Sequence, residues 1–113
     1  NTSSAASDVY KRQEKNGAVW RLKFDASYPA VEVQFDVMFK KGFGFARGGK
    51  LPGLFGGKGN TGGDKPTGKD GFSARMMWRD DGRAVQYLYY PDQPDRYGHQ
   101  TLDRSNNRKT DQV

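Results

Sequence analysis

An all-β fold is predicted from three observations. Two stretches alternate apolar and polar residues with the period of two that belongs to strands. An Asp80-Asp81-Gly82 turn joins two further alternating runs at hairpin spacing. Twelve of the 15 glycines lie between Gly42 and Gly71, which reads as one long glycine-rich loop and not as a helix. The 113 residues suffice for at most one domain, and with 34% apolar residues this stretch supplies no large core. Aromatic residues make up 13%, too many for a disordered chain.

The elements follow in chain order. Residues 1–13 include SSAASDVYKRQ, which resembles translated cloning or sequencing adaptor. They are expected to be a non-native or disordered leader, and the Asn1-Thr2-Ser3 sequon is set aside with them. Residues 17–25 place Ala18, Trp20, Leu22 and Phe24 on one face and Arg21, Lys23 and Asp25 on the other, as in a half-buried strand. Tyr28-Pro29 breaks the chain. Residues 31–39 carry the cleanest alternation: Val31, Val33, Phe35, Val37 and Phe39 against Glu32, Gln34 and Asp36. A strand is predicted there. Residues 40–71 are expected to be a mobile basic loop, rich in Lys40, Lys41, Arg47, Lys50, Lys58, Lys65 and Lys69, with a short strand near 43–46.

A hairpin follows. Phe72, Ala74, Met76 and Trp78 alternate with Ser73, Arg75, Met77 and Arg79. Past the turn, Val85, Tyr87 and Tyr89 alternate with Ala84, Gln86, Leu88 and Tyr90. Pro91 and Pro94 end the second strand. Residues 14–103 are read as the N-terminal part of one domain. Residues 104–113 are read as a polar tail or a truncated continuation.

The net charge of +6 favours a polyanionic partner: nucleic acid, anionic lipid or acidic glycan. The absence of Cys excludes disulfides, thiolate metal sites and cysteine nucleophiles. No run is apolar enough to span a membrane. Residues 57–62 fit G-x-G-x-x-G, and residues 63–69 fit G-x-x-x-x-G-K. Both lack the helix whose N-terminus would meet a phosphate, and Asp70 stands where Ser or Thr would hold Mg²⁺. His99 is the only histidine, which excludes a site built on two. A lone histidine after a proline-rich turn is read as a surface residue.

The hairpin carries the informative constellation. Ser73 and Arg75 share one face of their strand, and Tyr87 and Tyr89 share one face of theirs. Neighbours two apart stand roughly 6–7 Å from each other, a spacing that suits a row of hydroxyls and a guanidinium facing a sugar. The plainer alternative is that Tyr and Arg here only cover a sheet. If the patch is functional, Phe72, Ala74, Met76 and Trp78 should face the other way and be more buried.

Three segments, GGKLPGLFGG over Gly48–Gly57, GFSARMMWRDDG over residues 71–82 and YLYYPDQPDRYG over residues 87–98, resemble polysaccharide lyase family 14. The resemblance covers residues 16–103. It implies a β-jelly roll, an antiparallel β-sandwich with substrate in a concave cleft. Such a fold needs about eight strands, so a partial jelly roll truncated on its C-terminal side is expected. It implies Lys50, Arg75, Tyr87 and Tyr89 as catalytic residues and Ser73 as a substrate-binding residue, with no metal and no cofactor. The implied activity is β-elimination on a uronic-acid polymer, alginate or glucuronan. A secreted location is the leading expectation.

Removing the proton at C5 of a uronate builds negative charge on its carboxylate, which cations must meet. Lys50 and Arg75 suit that task, and Arg grips a carboxylate through two bonds. Tyr87 and Tyr89 are the candidates for base and acid, unassigned between them. A cationic cleft would have to lower a tyrosine pKa from about 10 for it to act as base. The expected partner is an acidic polysaccharide. A non-catalytic glycan-binding module is the main alternative. A nucleic-acid binder is less favoured, since the basic residues cluster in one loop and no RNA-binding motif is visible.

Overall fold

The computed structural model describes residues 10–14 and 17–101. The chain divides into two compact units, Asn1–Glu32 and Val33–Val113. All regular structure among the described residues is strand, consistent with an all-β sandwich of jelly-roll type.

In the first unit, β1 (Tyr10–Glu14) pairs antiparallel with β2 (Gly17–Arg21), with Tyr10 opposite Arg21. Part of the expected leader thus lies in β1, and residues 1–9 lie outside the described residues. The strand predicted over 17–25 ends at Arg21 and is exposed throughout, Trp20 included. A two-stranded ribbon has no second layer to cover its apolar face.

The second unit is a four-stranded antiparallel sheet in chain order: β3 (Gly48–Gly57), β4 (Gly71–Arg79), β5 (Ala84–Tyr89) and β6 (His99–Thr101). Two sequence expectations change here. Residues 31–38 are irregular and exposed, although their alternation is the cleanest in the chain. Alternation stabilises a strand only where a neighbour supplies the ladder and a layer covers the apolar face, and none of the described strands pairs with this segment.

Conversely, the predicted mobile loop contains the ten-residue strand β3. Glycine and Pro52 mask its alternation. Pro52 falls at the register shift between Lys50 and Gly53, where a bulge tolerates a residue without an N–H. Gly49 lies opposite Trp78, and a Cβ there would stand 2.1 Å from the indole Cζ2. That glycine is required by close approach. No strand forms at residues 43–46.

Trp78 instead gathers an aromatic cluster. Phe39, buried, lies 5.4 Å from Trp78 and 4.9 Å from Phe43, centroid to centroid. The indole N–H donates to the Phe45 carbonyl at 3.0 Å. Trp78 and Met77 are consecutive in β4, so this cluster and the side chains of Ser73, Arg75 and Met77 occupy opposite faces.

Candidate active site

Register decides which side chains meet. Ser73 stands opposite Tyr89 and Arg75 opposite Tyr87, so all four share one face of the sheet. Lys50 stands opposite Met77, two residues from Arg75, and joins the same face. Its ammonium lies 6.0 Å from the centroid of the Tyr87 ring. The Tyr87 and Tyr89 rings meet edge to face at 5.8 Å. The five residues singled out in the sequence therefore assemble on one face.

They do not share one environment. Lys50 is exposed, and Arg75 and Tyr87 are half-buried. Ser73 is only 5% exposed and Tyr89 only 1%. Residues 58–70 cover both: the Gly63 N–H donates to the Tyr89 hydroxyl at 2.9 Å, and the Ser73 hydroxyl donates to the Asn60 carbonyl at 2.6 Å. The expectation that Phe72, Ala74, Met76 and Trp78 would be the more buried set is thereby reversed, with Phe72 at 48% exposure. The glycine-rich segment folds over the tyrosine face and leaves the Phe72 end of the other face open. A groove of about 560 Å³ lies at that end, lined by Phe72, Ala74, Leu88, Tyr90 and Pro91 and also by Ser73, Tyr89 and Asp70. Lys50, Arg75 and Tyr87 do not line it.

Tyr87 sits at the centre of the exposed part of the site. The Gly98 N–H donates to its hydroxyl at 3.2 Å. Gly98 is brought there by a turn organised by Gln93, whose buried side-chain amide donates to the carbonyls of Asp95 and Tyr97 at 2.9 and 3.0 Å. Gln100, opposite Tyr87 on β6, accepts from Arg79 Nε at 2.7 Å and also from Arg79 Nη2. Burial, and next hydrogen bonding to Tyr89, push the Tyr87 phenol above its ordinary value, while the Gly98 N–H and the Arg79 charge oppose the shift. The sequence reading required a tyrosine pKa to be lowered, and Tyr87 moves the other way.

His99 is not a loop residue. It opens β6 opposite Leu88, on the reverse face from Tyr87, and its Nδ1 lies 2.5 Å from the Tyr90 hydroxyl. Sequence reasoning passed over Arg79, Gln100, Gly98, Asn60 and Asp70. Alternation did put Arg79 on the Arg75 face. Gly98 closes the third of the segments quoted above. Asn60 and Asp70 carry no side-chain pattern that marks them. Among the described residues no group of three or more His, Asp or Glu is placed to hold a metal ion.

The sequence profile of polysaccharide lyase 14 matches residues 3–112. The chain belongs to that family. No curated protein and no solved structure matches it. Membership of polysaccharide lyase 14 supports a polysaccharide lyase function for the chain in general.

Proposed function

We propose that the chain cleaves a uronic-acid polymer, alginate or glucuronan, by β-elimination on the face that carries Arg75 and Tyr87. The cross-strand pair Arg75–Tyr87, with the Lys50 ammonium over the phenol ring, carries this reading. It sets two cations beside one proton-handling group on an accessible surface. Lys50 and Arg75 would meet the uronate carboxylate as charge develops on it. The C5–H bond breaks, its electron pair forms the C4=C5 double bond, and the C4–O4 bond breaks.

The proton needs a carrier, and the half-buried Tyr87 is the phenol that reaches substrate. Its raised pKa leaves it mostly protonated at rest, so its minor deprotonated form takes the C5 proton, and the same phenol then delivers that proton to O4. Tyr89, buried edge to face against the Tyr87 ring, holds that ring in place. The Gly63 N–H in turn fixes the Tyr89 hydroxyl. Ser73, bonded to Asn60, supports the cover over the pair in place of touching sugar.

The test is incubation with alginate, glucuronan and a neutral glucan, following the ultraviolet absorbance of the new double bond conjugated to the carboxylate. Absorbance should grow with a uronate polymer only. Binding of uronate polymers with no absorbance growth would replace this reading with that of a glycan-binding module.

A further inference from the structure

The glycine-rich segment, which resembles a phosphate-binding loop only in pattern, has a different use in this fold. It is fastened by one carboxylate. Asp70 Oδ1 accepts the backbone N–H groups of Thr67 and Gly71, each at 2.9 Å. Asp70 Oδ2 accepts from Asn60 Nδ2 at 3.1 Å and pairs with the Lys58 ammonium at 3.0 Å. Lys58 also reaches Asp64 at 3.0 Å. Asp70 therefore ties Lys58, Asn60 and Thr67, near the two ends of residues 58–70, to the start of β4, and Lys58 carries the tie on to Asp64 in the middle. The two contacts that touch the tyrosine face, Asn60 carbonyl to Ser73 and Gly63 N–H to Tyr89, both issue from this fastened segment.

A cost opposes the fastening. Asn60 is 1% exposed, and its Oδ1 has no hydrogen-bond partner among the described residues. A buried acceptor without a protein donor disfavours the closed position. Offsetting interactions must hold the segment down, and the Asp70 bonds are the charge-assisted ones available at that point.

We propose that Asp70 is a positioning residue for the tyrosine pair, acting through residues 58–70 to hold the Gly63 N–H on the Tyr89 hydroxyl and the Asn60 carbonyl on Ser73. Its catalytic consequence rests on the lyase reading above, whereas its structural consequence does not. Asp70→Asn is the informative variant because it keeps size. If its carbonyl stays on the Thr67 and Gly71 N–H groups, its amide NH₂ faces the Lys58 ammonium and the Asn60 NH₂, donor against donor.

Two readouts separate the questions. Amide hydrogen exchange of the intact chain should show Gly63 exchanging about fivefold faster in Asp70→Asn, the size of one lost hydrogen bond, with amides of β5 and of β4 beyond Gly71 unchanged. Tyr89→Phe, which removes the acceptor, should accelerate Gly63 similarly and add nothing to Asp70→Asn. On a uronate polymer, Asp70→Asn should lower kcat about fivefold to tenfold with KM within about twofold, and Asp70→Glu should recover part of the loss. Unchanged Gly63 exchange in Asp70→Asn overturns the proposal, as does acceleration spread equally over β4 and β5. If no uronate polymer is cleaved by the wild-type chain, the lyase reading fails, while the exchange result still decides the role of Asp70 in holding the segment.

Discussion

Gly98 is packed so closely on Tyr87 that a Cβ at position 98 would stand 2.5 Å from the ring carbon bearing the hydroxyl. The same residue donates its N–H to that hydroxyl at 3.2 Å. Glycine here is a steric requirement of the site. Gly98→Ala should push the ring off its position and stretch the hydrogen bond. Overpacking of this kind costs about 1–3 kcal/mol. Cleavage should fall on the order of tenfold or more by that estimate, with far-ultraviolet circular dichroism unchanged. Wild-type kcat in Gly98→Ala would mean that the Tyr87 hydroxyl need not be held.

Lys50 is exposed, and its ammonium lies over Tyr87, so its charge is available to a carboxylate arriving on that face. If it acts mainly as charge develops, Lys50→Ala should lower kcat more than it raises KM. Steady-state kinetics check this, and a change in KM alone would make Lys50 a binding residue.

Tyr87→Phe and Tyr89→Phe each delete one hydroxyl and keep the ring. Tyr87→Phe should lower the rate on the order of 10²–10⁴-fold, the usual size for general acid–base catalysis, and Tyr89→Phe, which removes a buried hydroxyl, should lower it less. The double variant should be little worse than Tyr87→Phe alone, because Tyr89 acts through Tyr87. His99→Ala should be nearly silent, since His99 faces the reverse side of the sheet beside Tyr90. Loss of cleavage in His99→Ala with both Phe variants active would transfer the base role to histidine.

The Tyr87 phenol is held above its ordinary value of 10.0 by burial and by Tyr89. Its protonated form is thus favoured by the fold. Any stability it contributes is fully present below the unfolded-state value and is lost as pH rises through the folded-state value. Denaturation midpoints measured from pH 8 upward should fall on the alkaline side, and Tyr87→Phe should flatten that fall.

Asp70 shifts in the opposite sense. The Thr67 N–H first, and then the Lys58 ammonium, hold its carboxyl well below the usual carboxylate range. Its contribution is fully present above the unfolded value of about 3.9 and is lost progressively as pH falls from there through the depressed folded value. Asp70→Asn should therefore be less stable than wild type at neutral pH, with the gap closing in strong acid. Chemical denaturation at pH 7 and at pH 2 compares the two.

The grouping of Ser73 and Arg75 with Tyr87 and Tyr89 was legible because two alternating runs flank an Asp-Asp-Gly turn, and the register that sets Arg75 opposite Tyr87 came from the structure. Lys50 came only from family resemblance, since its strand is hidden among glycines. The alternation of residues 31–39 misled because a pattern states which face would be buried, not whether a neighbour exists to bury it. The burial of Ser73 and Tyr89 was not legible either. It depends on the Asn60 carbonyl and the Gly63 N–H, and main-chain groups are the same in every residue. Asp70 was passed over as a failed Mg²⁺ position, when its carboxylate serves the backbone around it.

Each strand of the four-stranded sheet pairs with the next in the chain, from β3 through β6. Contact order within this sheet is accordingly low for an all-β arrangement, and low contact order shortens the search for the native topology. Lys50, Arg75 and Tyr87 come together through two successive hairpin closures, one over residues 58–70 and one over residues 80–83. Forming this face requires no threading of distant segments and no parallel crossover. The chemistry-bearing surface can therefore take shape locally, at the speed of hairpins, as soon as residue 89 is available to pair.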